Sequence, residues 1–266
     1  MPGDWWRLIW EGILRRGGMP GMSSRGDPAV TGSVEFEFGA EIGATRWVDL
    51  PGSIDPSTPL DGARYLSLDT ESTGLDPSRD SVVSIGAVPV AGGEVAVDGG
   101  FEILVNPRRK IPENVVAIHG IGDDMVAGAP DFTGIVDRLL ATIDGSVILG
   151  HHIGFDFALL RRETLAAGRQ WKDLPALDTL LLAAIVWPRE RDLSLDALAR
   201  RFNVADQGRH TARGDAIMTA EVFLRLLPLL RDQGILTLGA ALAAQELARR
   251  TLLLRIKSRR WRWRWI

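Results

Sequence analysis

The order of apolar patterns along residues 61–232 is the feature that most constrains the fold of this chain. Three stretches with strand-like patterns come first, ARYLSLDT, SVVSIGAVPV and VDGGFEILVN, and turns containing Gly, Pro or Asp separate them. Helical periodicity then alternates with short buried-strand patterns, in DFTGIVDRLLATI, SVILG, FDFALLRRETLAAG, PALD and TLLLAAIVW. Further helices follow in LDALARRF, with Ser194 as its N-cap, and in GDAIMTAEVFLRLL. This order predicts one mixed α/β domain that opens with a meander.

The segments on either side of this domain differ from it in composition. Residues 1–60 combine the amphipathic stretch DWWRLIWEGILRR with a run rich in Gly, Pro, Ser and Asp, which predicts an N-terminal extension and linker. Residues 233–266 predict a C-terminal helix, LGAALAAQELARRTLLLRI, followed by the basic Trp/Arg tail RRWRWRWI. Alternating Arg and Trp suits binding to single-stranded nucleic acid or to an anionic membrane surface. The alternative is a tail with no selected role.

The charge of the chain is unevenly distributed. Residues 249–266 hold eight basic side chains and no acid, so the rest of the chain carries −11 although the net charge is −3. An acidic body does not attract phosphate through its overall field. Any nucleic-acid chemistry must therefore use bound cations or local basic patches.

Three further features of the sequence bear on the cellular compartment in which the protein is expected. The absence of cysteine excludes disulfides, thiolate metal ligands and a cysteine nucleophile, and it fits a reducing cytosol. The longest apolar run, LLLAAIVW, is much shorter than the ~18 residues that span a bilayer. The N-terminus has neither a basic leader nor a small-residue cleavage site. We therefore expect a cytoplasmic protein without a transmembrane segment.

Acidic residues recur where strands end and helices begin. Asp69 and Glu71, in LSLDTESTGLD, are one residue apart on a predicted strand, so their side chains share a face. Asp156 lies between two phenylalanines, where a carboxylate is costly to desolvate without a positive partner. His210 precedes Asp215 by five residues at the start of the last helix of the domain. Each pattern alone also fits a solvated strand end or a helix N-terminal carboxylate.

Together these elements resemble the DnaQ-like branch of the DEDDh 3'–5' exonucleases, typified by the proofreading epsilon subunit of bacterial DNA polymerase III. The matching blocks are DTESTGLDP, IHGI, GHHIGFD, LDTLLLA, LSLDALARRF and HTARGDAIMTAEVFL, and they span residues 64 to about 227. The resemblance implies a ribonuclease H-like α/β fold, with a five-stranded mixed sheet flanked by helices. A sister group has tyrosine in place of the histidine. The only tyrosine here, Tyr65, adjoins the first strand, so His210 must fill that position.

The resemblance also implies a chemistry, the release of nucleoside monophosphates from DNA 3' ends with two Mg²⁺ or Mn²⁺ ions. Such hard cations prefer carboxylate oxygens. Asp69 would bridge the ions, Glu71 and Asp215 would complete one site, and Asp156 would hold the second ion. His210 would take the proton of the attacking water, because a histidine of ordinary pKa is largely neutral at pH 7.

The same resemblance implies contacts to the substrate and a partner. Backbone and hydroxyl groups after Asp69 would meet the terminal nucleotide, a glycine would allow the turn, and apolar side chains would contact bases. The partner would be a polymerase or another replication or repair protein. The candidate substrate-binding residues are Thr70, Ser72, Thr73, Gly74, Leu75, His119 and Phe155, of which Phe155 also suits core packing and His119 also suits a loop histidine without a ligand.

The sequence departs from the family pattern at His152 and, in a mild change that keeps a hydroxyl, at Ser72, and it leaves other functions open. His152 stands where the family commonly has asparagine, so the hydrogen bond that the asparagine amide would make is in doubt. Zinc binding by the adjacent pair His151 and His152 is disfavoured, because the side chains of neighbouring residues on a strand diverge. Asp178 is expected to be structural. The alternatives are an exoribonuclease acting on short or structured RNA and a nucleic-acid-binding module without catalysis. Since the four acids and the histidine of the family pattern are all present, an enzyme is favoured over a module without catalysis.

Overall fold

A computed structural model describes residues 55–206 and 208–257, with side chains as far as Leu252. These residues form six strands and eight α-helices. The strands are β1 (Tyr65–Ser72), β2 (Val82–Ala91), β3 (Glu94–Val95), β4 (Phe101–Leu104), β5 (Val147–Gly150) and β6 (Ala176–Asp178). The helices are α1 (Glu113–His119), α2 (Asp123–Val126), α3 (Phe132–Ile143), α4 (Gly154–Ala166), α5 (Thr179–Val186), α6 (Leu195–Phe202), α7 (Ala212–Asp232) and α8 (Leu238–Lys257).

The six strands form one mixed sheet in the order β3-β2-β1-β5-β6, and β4 also pairs with β2. The β1–β2, β2–β3 and β2–β4 pairs are antiparallel, whereas β5 is parallel to β1 and β6 is parallel to β5. The predicted α/β fold with a mixed sheet flanked by helices is confirmed. The two-residue β3 adds a strand to the five expected, because Gly92 and Gly93, both at positive φ, turn the chain straight back onto β2.

Helices cover both faces of the sheet, and the alternation of β1 assigns its side chains to them. Tyr65 belongs to the core cluster formed with α5, α6, α7 and α8. Leu66 and Leu68 belong to the cluster formed with α3 and α4. Since side chains alternate along a strand, odd-numbered residues of β1 face α7 and even-numbered residues face α4.

Most predicted elements are present where the patterns placed them. The Ser194 hydroxyl accepts a hydrogen bond from the Ala197 N–H and caps α6, as predicted. The strand expected over VDGGFEILVN is shorter than predicted, because Val97–Gly99 form a 3₁₀ turn before β4. Helices α1 and α2 were not predicted, since seven and four residues are too few to establish an amphipathic period. α7 continues through Pro228 to Asp232.

Helix α8 packs on the same core as the helices before it. Leu238 and Ala241 are buried in the cluster that contains α5 and α7. The Gln245 side-chain amide donates to the Ala176 carbonyl at 2.6 Å and accepts from the Asp178 N–H at 3.0 Å, so it pairs with the backbone of β6. Edge strands need such protection against pairing with other chains.

Some predictions fall on parts of the chain that the structure does not describe. The amphipathic stretch within residues 1–54 and the RRWRWRWI tail lie outside the described residues. The domain boundaries at residues 61 and 232 stay predictions. Within the described part of the chain, no helix is long and apolar enough to cross a bilayer.

Candidate active site

Three carboxylates converge where β1 meets the N-terminus of α7. Asp69 and Glu71 lie on the face of β1 that α7 covers, and Asp215 lies in the first turn of α7. One ligand oxygen from each of the three lies within 4.8 Å of the others. We call these three residues the acid cluster. The convergence that the sequence predicted for them is therefore present.

Two small residues allow α7 to approach the sheet at this point. Gly86 on β2 is directly opposite Asp69, and a Cβ there would overlap the backbone of the first turn of α7. The Ser67 hydroxyl donates to the Ala216 carbonyl at 2.7 Å and ties the helix to β1. Together these contacts bring Asp215 beside Asp69.

The loop before α7 holds Asp215 from a second direction. The Asp215 carboxylate accepts a hydrogen bond from the His210 N–H at 3.3 Å and another from the Arg209 guanidinium. His210 has φ 66°, in the left-handed region, so the chain turns sharply here. The Thr211 hydroxyl accepts from the Gly214 N–H at 3.0 Å and caps the helix. The His210 backbone thus lies beside Asp215, and the His210 ring contacts Arg209, with Nδ1 3.2 Å from Arg209 Nη1.

Asp156 reaches the site from the other face of the sheet. It is buried on α4, and its carboxylate accepts a 2.6 Å hydrogen bond from the Thr70 hydroxyl. It does not belong to the acid cluster defined by the 4.8 Å distance. Its charge nevertheless raises the pKa of Asp69, so the two carboxylates are close enough to interact.

The acids are crowded enough to resist ionisation. Burial, followed by repulsion from neighbouring acids, raises the pKa of Asp69 well above its ordinary value and that of Glu71 to about 8. Burial also raises the pKa of Asp156 to about 7 and that of Asp215 to about 6, although Arg209 opposes the rise at Asp215. Such carboxylates gain most from an added positive charge. An all-oxygen donor set of this kind fits hard divalent cations such as Mg²⁺ or Mn²⁺.

These shifts predict how the stability of the metal-free protein depends on pH. Acids whose pKa is raised on folding contribute stability that is lost as pH rises through the folded pKa. The buried His151 and His152, with pKa values lowered to about 3 and about 4, act in the opposite direction, but only below about pH 6.5. Between pH 6.5 and 8 we therefore expect the melting temperature in a chelator to fall by roughly 5 °C.

Thermal unfolding in EDTA at several pH values checks this expectation. Glu71→Gln should reduce the fall of the melting temperature with pH, because glutamine cannot ionise. Added Mg²⁺ should reduce it as well. A melting temperature that stays constant or rises between pH 6.5 and 8 in the unsubstituted protein would contradict the mutual repulsion of the acids.

The hydroxyls predicted to meet a nucleotide are engaged within the protein. The Thr70 hydroxyl donates to the Asp156 carboxylate. The Ser72 hydroxyl donates to the Gly74 carbonyl at 2.5 Å, and the Thr73 hydroxyl donates to the Asp80 carboxylate at 3.1 Å. Gly74 is needed for space, because a Cβ would collide with the Asp80 carboxylate. The contacts of these residues with a substrate stay predictions.

The other predicted contact residues differ in exposure. Leu75 is 50% exposed and available to an apolar partner. Phe155 is partly buried and packs against the α3–α4 core cluster. His119 is buried, its Nδ1 accepts from the Ile121 N–H at 3.0 Å, and burial lowers its pKa. Of these three, Leu75 has the side chain most open to a ligand.

The neighbouring histidines and Asp178 support the backbone around the site. The Asp178 carboxylate accepts from the N–H groups of His152 and Leu180, and it caps α5, which is consistent with its expected structural role. His151 Nδ1 lies 2.9 Å from the Thr179 hydroxyl. These hydrogen bonds fix the β5–α4 turn that leads to Asp156.

The sequence did not predict the ion pair behind the acid cluster. Arg209 Nε donates to Asp196 on α6 at 2.6 Å, while Nη1 of the same guanidinium contacts Asp215. Asp196 resembles any acid in a first helical turn, and the packing of α6 beside α7 creates this pair. The adjacency of Arg209 and His210 was the only signal in the sequence.

Comparison with known proteins assigns the chain to a family. Residues 66–223 match the RNase_T family, described as exonuclease. DNA polymerase III subunit epsilon of Rickettsia felis is 36% identical over 174 residues, which cover 63% of this chain and 75% of that protein. The chain belongs to the DnaQ-like exonuclease family. The family predicted from the sequence is thereby confirmed.

Other relatives of this family member are longer proteins. The DNA polymerase III subunit epsilon-like protein of Rhodobacter capsulatus is 43% identical over 188 residues, which cover 70% of this chain. The chain spans 27% of the length of that relative.

Solved structures show the same fold. Exonuclease I of E. coli, in complex with a dT13 oligonucleotide, has a TM-score of 0.56 at 17% identity over 65% of this chain and 42% of that chain. Exonuclease X, in complex with 5' overhanging duplex DNA, has a TM-score of 0.51 at 24% identity over 69% of this chain and 99% of that chain. These likenesses confirm the ribonuclease H-like fold.

Proposed function

We propose that this protein is a DEDDh-type 3'–5' exonuclease that releases nucleoside monophosphates from the 3' ends of DNA with two divalent cations. The observation that carries the proposal is the acid cluster, in which Asp69, Glu71 and Asp215 converge within 4.8 Å beside a histidine. DNA is favoured as the substrate because the related solved structures contain DNA and the relatives are named as DNA polymerase III proteins.

The acids would hold the cations. Asp69, Glu71 and Asp215 would hold one ion, and Asp69 together with Asp156 would hold the second. When bound, the two ions supply a nucleophile from water and neutralise charge on the attacking and leaving oxygens. They would also explain how an acidic body binds phosphate.

His210 would be the general base. Burial, together with the charge of Arg209, lowers its pKa below the ordinary value of 6.5. The imidazole is therefore neutral at pH 7 and can accept a proton from the attacking water. Its backbone N–H is bonded to Asp215, and its ring contacts Arg209, which is also bonded to Asp215, so the imidazole would need only a short reach to a water at the acid cluster.

The partner would be a DNA polymerase or another replication or repair protein. The relatives carry the name of a DNA polymerase III subunit, and the R. capsulatus protein is much longer than this chain. Co-purification with a polymerase from the source cell, followed by reconstitution from purified proteins, would test this assignment.

Degradation of end-labelled oligonucleotides tests the function. DNA and RNA of one sequence, labelled at the 3' or 5' end, would be incubated with Mg²⁺ or Mn²⁺, with EDTA as the control. We expect the 3' label to leave first as a mononucleotide, the 5'-labelled strand to shorten stepwise, and DNA to be cut faster than RNA. Mononucleotides leaving from the 5' end, or internal cuts, would exclude the proposed direction, and faster RNA cleavage would favour the exoribonuclease alternative.

A further inference from the structure

Arg209 connects the acid cluster to an acid outside it. Its guanidinium donates through Nε to Asp196 on α6 at 2.6 Å and through Nη1 to Asp215 on α7. The same Nη1 lies 3.2 Å from His210 Nδ1. The side chain is 24% exposed, so these acids compensate a largely buried charge.

The charge of Arg209 acts on every member of the acid cluster. Its guanidinium contacts Asp215, and a ligand oxygen of Asp215 lies within 4.8 Å of one from Asp69 and one from Glu71, so the positive charge lies close to all three carboxylates. Arg209 therefore does electrostatically, in part, what a bound cation would do. It also bonds to an oxygen of Asp215, one of the three acids that would hold an ion.

A guanidinium and a divalent cation cannot both have full use of the Asp215 carboxylate. The two positive charges repel each other at such short range, and each requires lone pairs of the same group. Asp196 offers Arg209 a second partner that is not part of the acid cluster. Arg209 can therefore give up Asp215 without being left as an unpaired buried charge.

We propose that Arg209 is an internal counter-cation that neutralises Asp215 in the metal-free protein and withdraws to Asp196 when a divalent ion binds. Arg209 and Asp196 are then positioning residues that set metal affinity by competition. This inference rests on the proposed metal site.

Two substitutions are expected to change metal affinity in opposite directions. Arg209→Gln removes the competitor and should tighten metal binding, while it destabilises the metal-free protein by leaving the acids without their counter-ion. Asp196→Asn removes the alternative partner, so Arg209 should stay on Asp215 and weaken metal binding. A purely structural role would move both affinities in the same direction.

Calorimetric titration of the full chain with Mn²⁺ alone, without substrate, tests these signs. We expect Arg209→Gln to bind Mn²⁺ roughly fivefold to tenfold more tightly and Asp196→Asn to bind it several-fold more weakly. Arg213→Gln is the matched control: it lies two residues from Asp215, but its guanidinium donates to the Val97 carbonyl at 3.0 Å, so affinity should stay within about twofold.

Unfolding in EDTA supplies a second measurement. Arg209→Gln should melt below the unsubstituted protein, and its melting temperature should rise more on addition of saturating Mn²⁺. If Arg209→Gln does not fold, the Mn²⁺ affinity of Asp196→Asn tests the competition alone. Weaker binding than in the unsubstituted protein supports it, and equal or tighter binding refutes it.

The outcomes separate this inference from the proposed function. If the unsubstituted protein binds Mn²⁺ through Asp69 and Arg209→Gln binds it no more tightly, or Asp196→Asn no more weakly, the competition is refuted and the metal site stands. If the unsubstituted protein binds Mn²⁺ no better than Asp69→Asn, the metal site itself is refuted and the inference with it.

Discussion

Asp69→Asn is expected to slow exonucleolytic release by on the order of 10³-fold or more while raising the melting temperature of the metal-free protein. Asp69 would contact both ions, and losing a shared ligand removes several kcal/mol of transition-state stabilisation. The same carboxylate is the most crowded of the acids, since burial and repulsion from Asp156, Asp215 and Glu71 all raise its pKa. Replacing it with a neutral isostere relieves that repulsion, a common trade between stability and activity at catalytic sites.

Two measurements are required, single-turnover release from a 3'-labelled oligonucleotide with Mg²⁺ and thermal unfolding in EDTA. Asp173→Asn, a substitution of an exposed aspartate between α4 and β6, is the matched control and should change neither. Retention of more than about a tenth of the rate by Asp69→Asn would show that this residue is not an essential ligand. A lower melting temperature in EDTA would show that its charge stabilises the fold.

His210→Asn is expected to lower the rate by roughly 10²- to 10⁴-fold, the usual contribution of a general base. Asparagine tolerates the left-handed conformation that His210 adopts at φ 66°, so the loop and Asp215 should stay in place. In the unsubstituted protein the base is active when neutral. Activity at saturating metal should therefore rise with pH through a midpoint below 6.5, because burial and Arg209 lower the pKa of His210. This rise should be absent from the variant.

The pH profile of kcat and a Mn²⁺ titration check this expectation. His152→Asn is the matched control: His152 also lies at positive φ, 59°, and a substitution there should keep activity within about tenfold. If His210→Asn kept both the rate of the unsubstituted protein and its rise of kcat with pH below 6.5, another group would have to accept the proton. If it lost Mn²⁺ affinity as well, the loss of rate would reflect a disturbed acid cluster.

Local patterns determined the elements of this fold and the identity of its acids. Period-two alternation places Asp69 and Glu71 on one face of β1, and the structure brings both into the acid cluster. The cap of α6 at Ser194 was also visible in the sequence, because a serine before an apolar helical period satisfies free N–H groups. Elements too short to show a period, such as the two-residue β3 and the four-residue α2, were not.

Only the tertiary structure decided how these acids are partnered. Gly86 and Ser67 bring α7 against β1, so Asp215 meets residues nearly 150 positions earlier in the chain. Asp156 instead approaches from the opposite face and is held by Thr70.

The pairing of Arg209 with Asp196 arises from α6 lying beside α7. Periodicity and capping depend on neighbours within a few residues, and the sequence displays these directly. Contacts across the sheet depend on the packing of whole helices, in which a missing Cβ or a single hydroxyl sets the distance between charges. The sequence therefore determined which acids this protein has and which of them share a strand face, and the packing of helices on the sheet decided which charges they meet.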